Sequence, residues 1–246
     1  MTDITLVMVP GLMCDEAVWS DVRDHMGAAA QGAVVPDHGL CRDIEGMAVQ
    51  ILQSVPGLLA VAGHSMGGRV ALEMRRLAPE RVRRLALLDT GYLARPEGLA
   101  GQVEADKRQA LLDVALREGV EVMARTWAQG MVHPSRLNDT ALMAAIVAMF
   151  ARRTPLHFAN QIQALLARPD ASQTLQSIGG PVYLLCGAQD SWSPVAQHQA
   201  MCDLLPHSVL TVIESAGHMA PMEQPESVAQ VLSEWVNSSS LLADFV

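Results

Sequence analysis

Ser65 lies in the segment Gly63-His64-Ser65-Met66-Gly67, between an apolar run, Leu58–Ala62, and a helix-like stretch, Arg69–Leu77. A strand that turns straight into a helix passes through a tight bend. Glycines two residues either side of the serine let neighbouring backbone approach without a Cβ clash. The bend lifts the hydroxyl above the sheet and aims the next N–H, at the helix N-terminus, toward developing negative charge. A serine hydroxyl is a poor nucleophile until a base removes its proton, and that base needs a third group to orient it. Two downstream segments supply such partners. Asp190 follows the apolar run Val182–Cys186, and His218 follows Ser208–Ile213 within Glu214-Ser215-Ala216-Gly217-His218. Asp89 also ends an apolar run, Arg83–Leu88, and is a second candidate for the acid.

The elements that must position these residues alternate. Ile4–Val9 is a short strand closed by Pro10-Gly11, followed by a helix with Trp19, Val22 and Met26 on one face. Ala33–Val35 reads as a second strand, and Asp43 can cap a helix over Ile44–Ser54. After Asp89 the rhythm stops. From about Pro96 to Ile178 the pattern is helix after helix, broken at Gly130, His133-Pro134, Thr154-Pro155 and Arg168-Pro169. Strand Val182–Cys186, helix Pro194–Leu204, strand Ser208–Ile213 and helix Pro225–Val236 then resume the alternation. This predicts βαβ units with a parallel sheet, interrupted by a helical insertion. The carboxyl ends of parallel strands share one edge, so Ser65, Asp190 and His218 can converge there. In the tail, Leu241, Leu242 and Phe245 are available to dock.

Composition narrows the function classes. Half of the 246 residues are apolar and 17% are charged, which supplies a large core and excludes disorder. A formal charge of −9 and no basic tract argue against nucleic acid as partner, and Arg81-Val82-Arg83-Arg84 reads as a solvated helix–strand connection. The longest apolar run, Ala141–Ala151, is 11 residues, short of the roughly 20 that span a bilayer. The N-terminus shows no signal-peptide pattern. Cys14, Cys41, Cys186 and Cys202 lack zinc spacing and read as reduced thiols, so the cytoplasm is the expected location. Outside the pair His64 and His218, His25, His133, His157, His198 and His207 form no metal-ligand pattern. No sequence feature specifies an oligomeric state.

Over essentially its whole length the chain resembles α/β-hydrolase-fold enzymes of the esterase, lactonase and C–C hydrolase type. The resemblance is carried by Val9-Pro10-Gly11-Leu12, Gly63-His64-Ser65-Met66-Gly67-Gly68, Gly187-Ala188-Gln189-Asp190 and Ala216-Gly217-His218, in the order Ser…Asp…His. It implies a mostly parallel twisted sheet flanked by helices; the chain is expected to enter it at the family's third strand and to lack the usual antiparallel N-terminal hairpin, because Ile4 begins almost at once. It implies a core of residues 1–95 and 179–246 and a helical cap, 96–178, between the family's strands six and seven. By the same resemblance Ser65 is the nucleophile, His218 the base and Asp190 the orienting acid. The N–H groups of Leu12 and Met66 would hold the oxyanion, and His64 would serve packing. Many relatives have His-Gly where this chain has Pro10-Gly11; the backbone donor survives that change, but a bracing side chain is lost.

A cap so placed makes Trp127, Met131, Met143, Met149, Phe150 and Phe158, with Trp192 beside the acid, candidates for pocket walls. Arg125, Arg152 and Arg153 are candidates for meeting a substrate carboxylate. The expected chemistry is hydrolysis of a small-to-medium carboxylic ester, thioester or lactone through an acyl-enzyme, with a small-molecule substrate and neither cofactor nor metal. Ser65 stands against dehalogenase and epoxide hydrolase chemistry, which the fold runs with an aspartate nucleophile. Alternatives on the same triad are C–C bond hydrolysis, a lyase or cofactor-free perhydrolysis; another is a non-catalytic ligand-binding member.

Overall fold

A computed structural model describes residues 4–238, so Leu241, Leu242 and Phe245 lie outside the described residues. The strands β1 (Ile4–Val9), β2 (Leu58–His64), β3 (Val82–Leu88), β4 (Val182–Gly187) and β5 (Val209–Ile213) form one sheet in that order. Each neighbouring pair is parallel. The inner strands are continuous apolar runs because both faces are covered: Leu59–Ala62 and Leu85–Leu88 are buried throughout.

The crossovers supply the cover. Helices α1 (Ser20–Met26) and α2 (Ile44–Ser54) lie between β1 and β2, and α3 (Met66–Leu77) joins β2 to β3. Five helices then separate β3 from β4: α4 (Gly98–Glu118), α5 (Val120–Trp127), α6 (Thr140–Ala151), α7 (Pro155–Leu166) and α8 (Ser172–Gln176). Between β4 and β5 lies α9 (Val195–Cys202), and α10 (Ala220–Glu223) and α11 (Pro225–Asn237) close the described chain. The α1 helix packs on α11 and α2 packs on α3, with Trp19 and Trp235 fully buried. Local chemistry sets the starts. The Asp43 carboxylate accepts from the Gly46 N–H at the head of α2, and Thr154 with His157 forms a capping box before Pro155 at the head of α7.

Two expectations change. Ala33–Val35 is not a strand; only Val34 bridges Val7, exchanging bonds with Met8 N–H and Leu6 C=O at 2.9 Å each. Gly32 in the left-handed region and Pro36 leave too little extended chain for more. Nor are Arg81 and Arg84 simply solvated. Arg81 donates to the Leu52, Val55 and Gly57 carbonyls, and Arg84 donates to those of Trp235, Val236 and Ser238, where a cation suits the C-terminus of α11.

Candidate active site

Ser65 is the single residue between β2 and α3, with φ 54° and ψ −118°. A non-glycine residue held there stores on the order of 1–3 kcal/mol of strain, so its surroundings must over-determine it. They do: the Ser65 N–H donates to Leu88 C=O at 2.8 Å, and Thr90 Oγ1 donates to Ser65 C=O at 2.6 Å. A Cβ on Gly63 would strike the Gly67 backbone, and one on Gly67 the carbonyls of Val9 and Pro10. The glycines let β1, β2 and α3 close around the bend.

His218 Nε2 lies 2.8 Å from Ser65 Oγ, and His218 Nδ1 lies 2.8 Å from Asp190 Oδ2. The other Asp190 oxygen accepts from Trp192 N–H at 2.8 Å and Ser193 N–H at 3.0 Å. Burial alone would raise this carboxyl, but His218 and the two amides outweigh it and hold Asp190 below the usual carboxylate range. An ionised Asp190 accepts from Nδ1–H, which leaves Nε2 as the acceptor facing the serine hydroxyl. The His218 loop is fixed independently. Its N–H donates to Met131 C=O at 2.6 Å, and the buried Glu223 carboxylate accepts from Gly217 N–H and His133 N–H.

Asp89 takes a different place. One oxygen accepts from Gly187 N–H at 2.8 Å, and the other is 3.9 Å from His64 Nε2, outside hydrogen-bond reach. Burial, then the nearby Asp190 charge, raises Asp89 well above the usual range, so it is a neutral acid behind the site. His64 donates from Nε2 to His218 C=O at 2.8 Å, and burial followed by His218 pushes its pKa down to about 3. It is a neutral strut. Asp89, Cys186 and Asp190 bring possible ligand atoms within 4.8 Å of one another. With the Cys186 thiol raised by burial and donating to the Ser193 and Gly187 carbonyls, and Asp89 protonated, that donor set does not fit a cation.

Leu12 and Met66 line the same cavity as the serine, and among the described residues neither N–H has an acceptor. The loop carrying Leu12 is braced by two residues absent from the sequence reading. His38, 2% exposed, donates to Pro10 C=O at 2.9 Å, and Gln161 Oε1, from α7, accepts from Met13 N–H at 2.7 Å. Met13 itself has φ 63°. A buried glutamine on an otherwise apolar helix face was the available signal.

These groups open into a cavity of about 520 Å³. Trp127, Met131, Phe150 and Trp192 line it, and Trp127 and Trp192 stack at 5.7 Å with Trp192 4.9 Å from the His218 ring. Met149 and Phe158 do not line it. Both are fully buried among the helices, Phe158 packing on Trp127 at 5.3 Å. Met143 borders a separate surface groove. The arginine expectation is also corrected: Arg125 pairs with Glu121, Arg152 with Asp15 and Arg153 with Asp37, and none lines the cavity. Arg69, Lys107, Arg108 and Arg168 line it instead.

Residues 6–231 match the model of the alpha/beta hydrolase family. The chain belongs to that family. It is an enzyme of the hydrolase class built on this fold. A pimeloyl-[acyl-carrier protein] methyl ester esterase of Aromatoleum aromaticum is 26% identical over 94% of this chain and 97% of its own length. The 3-oxoadipate enol-lactonase 2 of Acinetobacter baylyi is 30% identical over 67% of this chain and 58% of its own. Among solved structures, a malate-bound thermophilic esterase from Thermogutta terrifontis superposes with a TM-score of 0.80 at 27% identity, covering 96% of this chain and 90% of that one. Among the described residues, no helix is long and apolar enough to cross a membrane.

Proposed function

We propose that this enzyme hydrolyses a small-to-medium carboxylic ester, thioester or lactone through an acyl-enzyme on Ser65. The observation that carries this reading is the unbroken hydrogen-bond chain Ser65–His218–Asp190, with both links 2.8 Å, opening on the cavity. Ser65 Oγ attacks the carbonyl carbon while His218 Nε2 takes its proton, and Asp190 holds the imidazolium that results. The oxyanion lies between the Leu12 and Met66 N–H groups, which need no other partner. Collapse expels the alcohol or thiol with the proton from His218, and water repeats the sequence to free the acid. The esterase and lactonase relatives support this bond class.

In the same reading residues 96–178 are a cap over a core of 1–95 and 179–246, with Trp127, Met131, Phe150 and Trp192 as pocket walls. The cap is tied to the catalytic loop where Met131 C=O receives the His218 and Met219 N–H groups. A cytoplasmic setting accords with four unpaired cysteines. The test is labelling by a fluorophosphonate, expected at one equivalent per chain and lost in Ser65→Ala. A folded wild type that fails to label would mark a retained, non-catalytic site. On p-nitrophenyl esters kcat/KM is expected to rise about fourfold per added carbon, at ~0.8 kcal/mol per methylene, until the cavity fills. A maximum at palmitate would remove the cap's role in limiting length.

A further inference from the structure

The cavity that opens on Ser65 is strongly polarised. Beside the serine it is walled by tryptophan, methionine and phenylalanine; elsewhere it is lined by Arg69, Lys107, Arg108 and Arg168, with Glu104 the single carboxylate among its lining residues. The protein as a whole carries a formal charge of −9, so this concentration of cations runs against the composition. The four come from three places: Arg69 from α3, one turn after Ser65; Lys107 and Arg108 from α4; and Arg168 from just after α7. Glu104 is already shared. It receives two bonds from Arg168, at 2.6 and 2.9 Å, and two from Arg108, at 3.0 and 3.1 Å.

That leaves a surplus. Among the described residues neither Arg69 nor Lys107 has a carboxylate within ion-pair distance. Arg69 has five N–H donors and makes one bond, from Nη1 to Leu93 C=O at 2.8 Å. Burial, then the neighbouring Arg168, push Arg69 down to about 9 against the pull of Glu104 and Asp170. An anion entering this end would be attracted by the surplus and only partly screened by water.

We propose that this end of the cavity is a carboxylate subsite, so that the enzyme's substrate is an ester or lactone carrying a free carboxylate remote from the bond that Ser65 cleaves. The cluster selects a planar carboxylate because it already holds one: Glu104 sits in the fork of Arg168 as a bidentate acceptor. Arg69, which lines the same cavity with most of its donors uncommitted, offers a second such position. The cavity then reads a substrate at both ends, an acyl carbonyl at the amides of Leu12 and Met66 and an anion at the guanidinium groups. This subsite rests on the hydrolase reading given above.

The test compares monomethyl esters of straight-chain dicarboxylic acids, from succinate to azelate, with the dimethyl esters of the same acids. Wild type is expected to prefer the anionic member at one chain length by tenfold or more in kcat/KM, and to lose that preference with added salt. The anionic-to-neutral ratio is expected to fall at least tenfold in Arg69→Met and Arg108→Met, through KM rather than kcat. Arg69→Lys should retain part of it. Arg125→Met, whose exposed arginine pairs with Glu121 outside the cavity, should leave the ratio where it was. A variant that merely loosens the fold lowers both rates together. Adipate should inhibit better than inorganic phosphate, and the reverse would overturn the carboxylate assignment. A ratio at or below one at every length, or unmoved in both Met variants, overturns the subsite. Failure of Ser65 to label overturns the hydrolase reading instead; in that case calorimetric titration of adipate into the Ser65→Ala protein decides the subsite alone. Binding that is lost on adding Arg69→Met supports it, and no binding overturns it.

Discussion

Two helices line the same cavity and are held in opposite ways. The α3 helix, which starts at the nucleophile, buries nine of its 12 residues between β2, β3 and α2. The α4 helix buries only Gly101 and Ala115 of its 21, while Leu99, Val103 and Leu116 are 81%, 42% and 64% exposed. The tie on its cavity face is polar: Glu104 bonds Arg168 from beyond α7, while Arg108, one turn on in α4 itself, shares the same carboxylate. The contrast separates two demands. Reacting atoms must be held to a fraction of an ångström and therefore sit on the best-packed element. A wall that substrate must pass belongs on an element whose local opening costs little.

The largest expected effect falls on the rigid side. Asp190→Asn removes the charge that sets the His218 tautomer and should lower kcat by about 10⁴, whereas Asp89→Asn, made in a neutral acid with no link to His218, should stay within about tenfold. Steady-state rates on one p-nitrophenyl ester check both, and the reversed order would move the orienting role to Asp89. A smaller loss belongs to the loop between the two regions. Gln161→Leu leaves the buried Met13 N–H without its acceptor and slackens the segment that presents Leu12. It should cost about tenfold to a hundredfold in kcat with little change in KM, less than deleting a donor outright. A change confined to KM would place Gln161 in substrate binding instead.

The rigid side was also the legible one. The convergence of Ser65, Asp190 and His218 could be read because each lies within five residues of the end of an apolar run that becomes a strand, and parallel strands deliver their ends to one edge. The cavity walls obey no such local rule. Met149 and Phe150 are adjacent in α6, yet only Phe150 reaches the cavity, since neighbouring helix positions point about 100° apart. Arginines were expected to meet the substrate, but Arg152 and Arg153 are spoken for by Asp15 and Asp37 on distant loops. Arg69 was visible all along, four residues after the nucleophile; nothing local said that α4 would place Lys107 and Arg108 opposite it. The single-rung bridge at Val34 failed for the complementary reason, that three apolar residues between Gly32 and Pro36 are too few to make a strand.

On the loosely held side the expected effect is local. Glu104→Gln withdraws the charge that Arg168 and Arg108 share, and the pair is partly exposed, so the global cost should be about 1 kcal/mol. Amide exchange in residues 98–118 should accelerate severalfold while α3 keeps its protection. Equal acceleration in both helices would show that they open as one unit, which would erase the distinction drawn between them.

The finest comparison lies within the rigid region, between Asp89 and Asp190, and it is read in stability against pH. In the unfolded chain both titrate near 3.9. Folded Asp190 is held lower, so it contributes stability that is present above pH ~4 and lost as the pH falls through its folded value. Folded Asp89 is raised, so above pH ~4 the native state keeps a proton that the unfolded chain has released. Stability therefore declines with rising pH by up to ~1.4 kcal/mol per unit until the folded group ionises. Asparagine cannot ionise, accepts the Gly187 N–H as Asp89 does, and tolerates the φ of 47° found there. The Tm of Asp89→Asn minus that of wild type should therefore grow as the pH rises above 5, until the folded Asp89 ionises, while Asp190→Asn should draw level with wild type only as the pH falls below 4. A difference for Asp89→Asn that stays flat across that range would mean that Asp89 is ionised in the native state, and the neutral acid behind the triad would have to be abandoned.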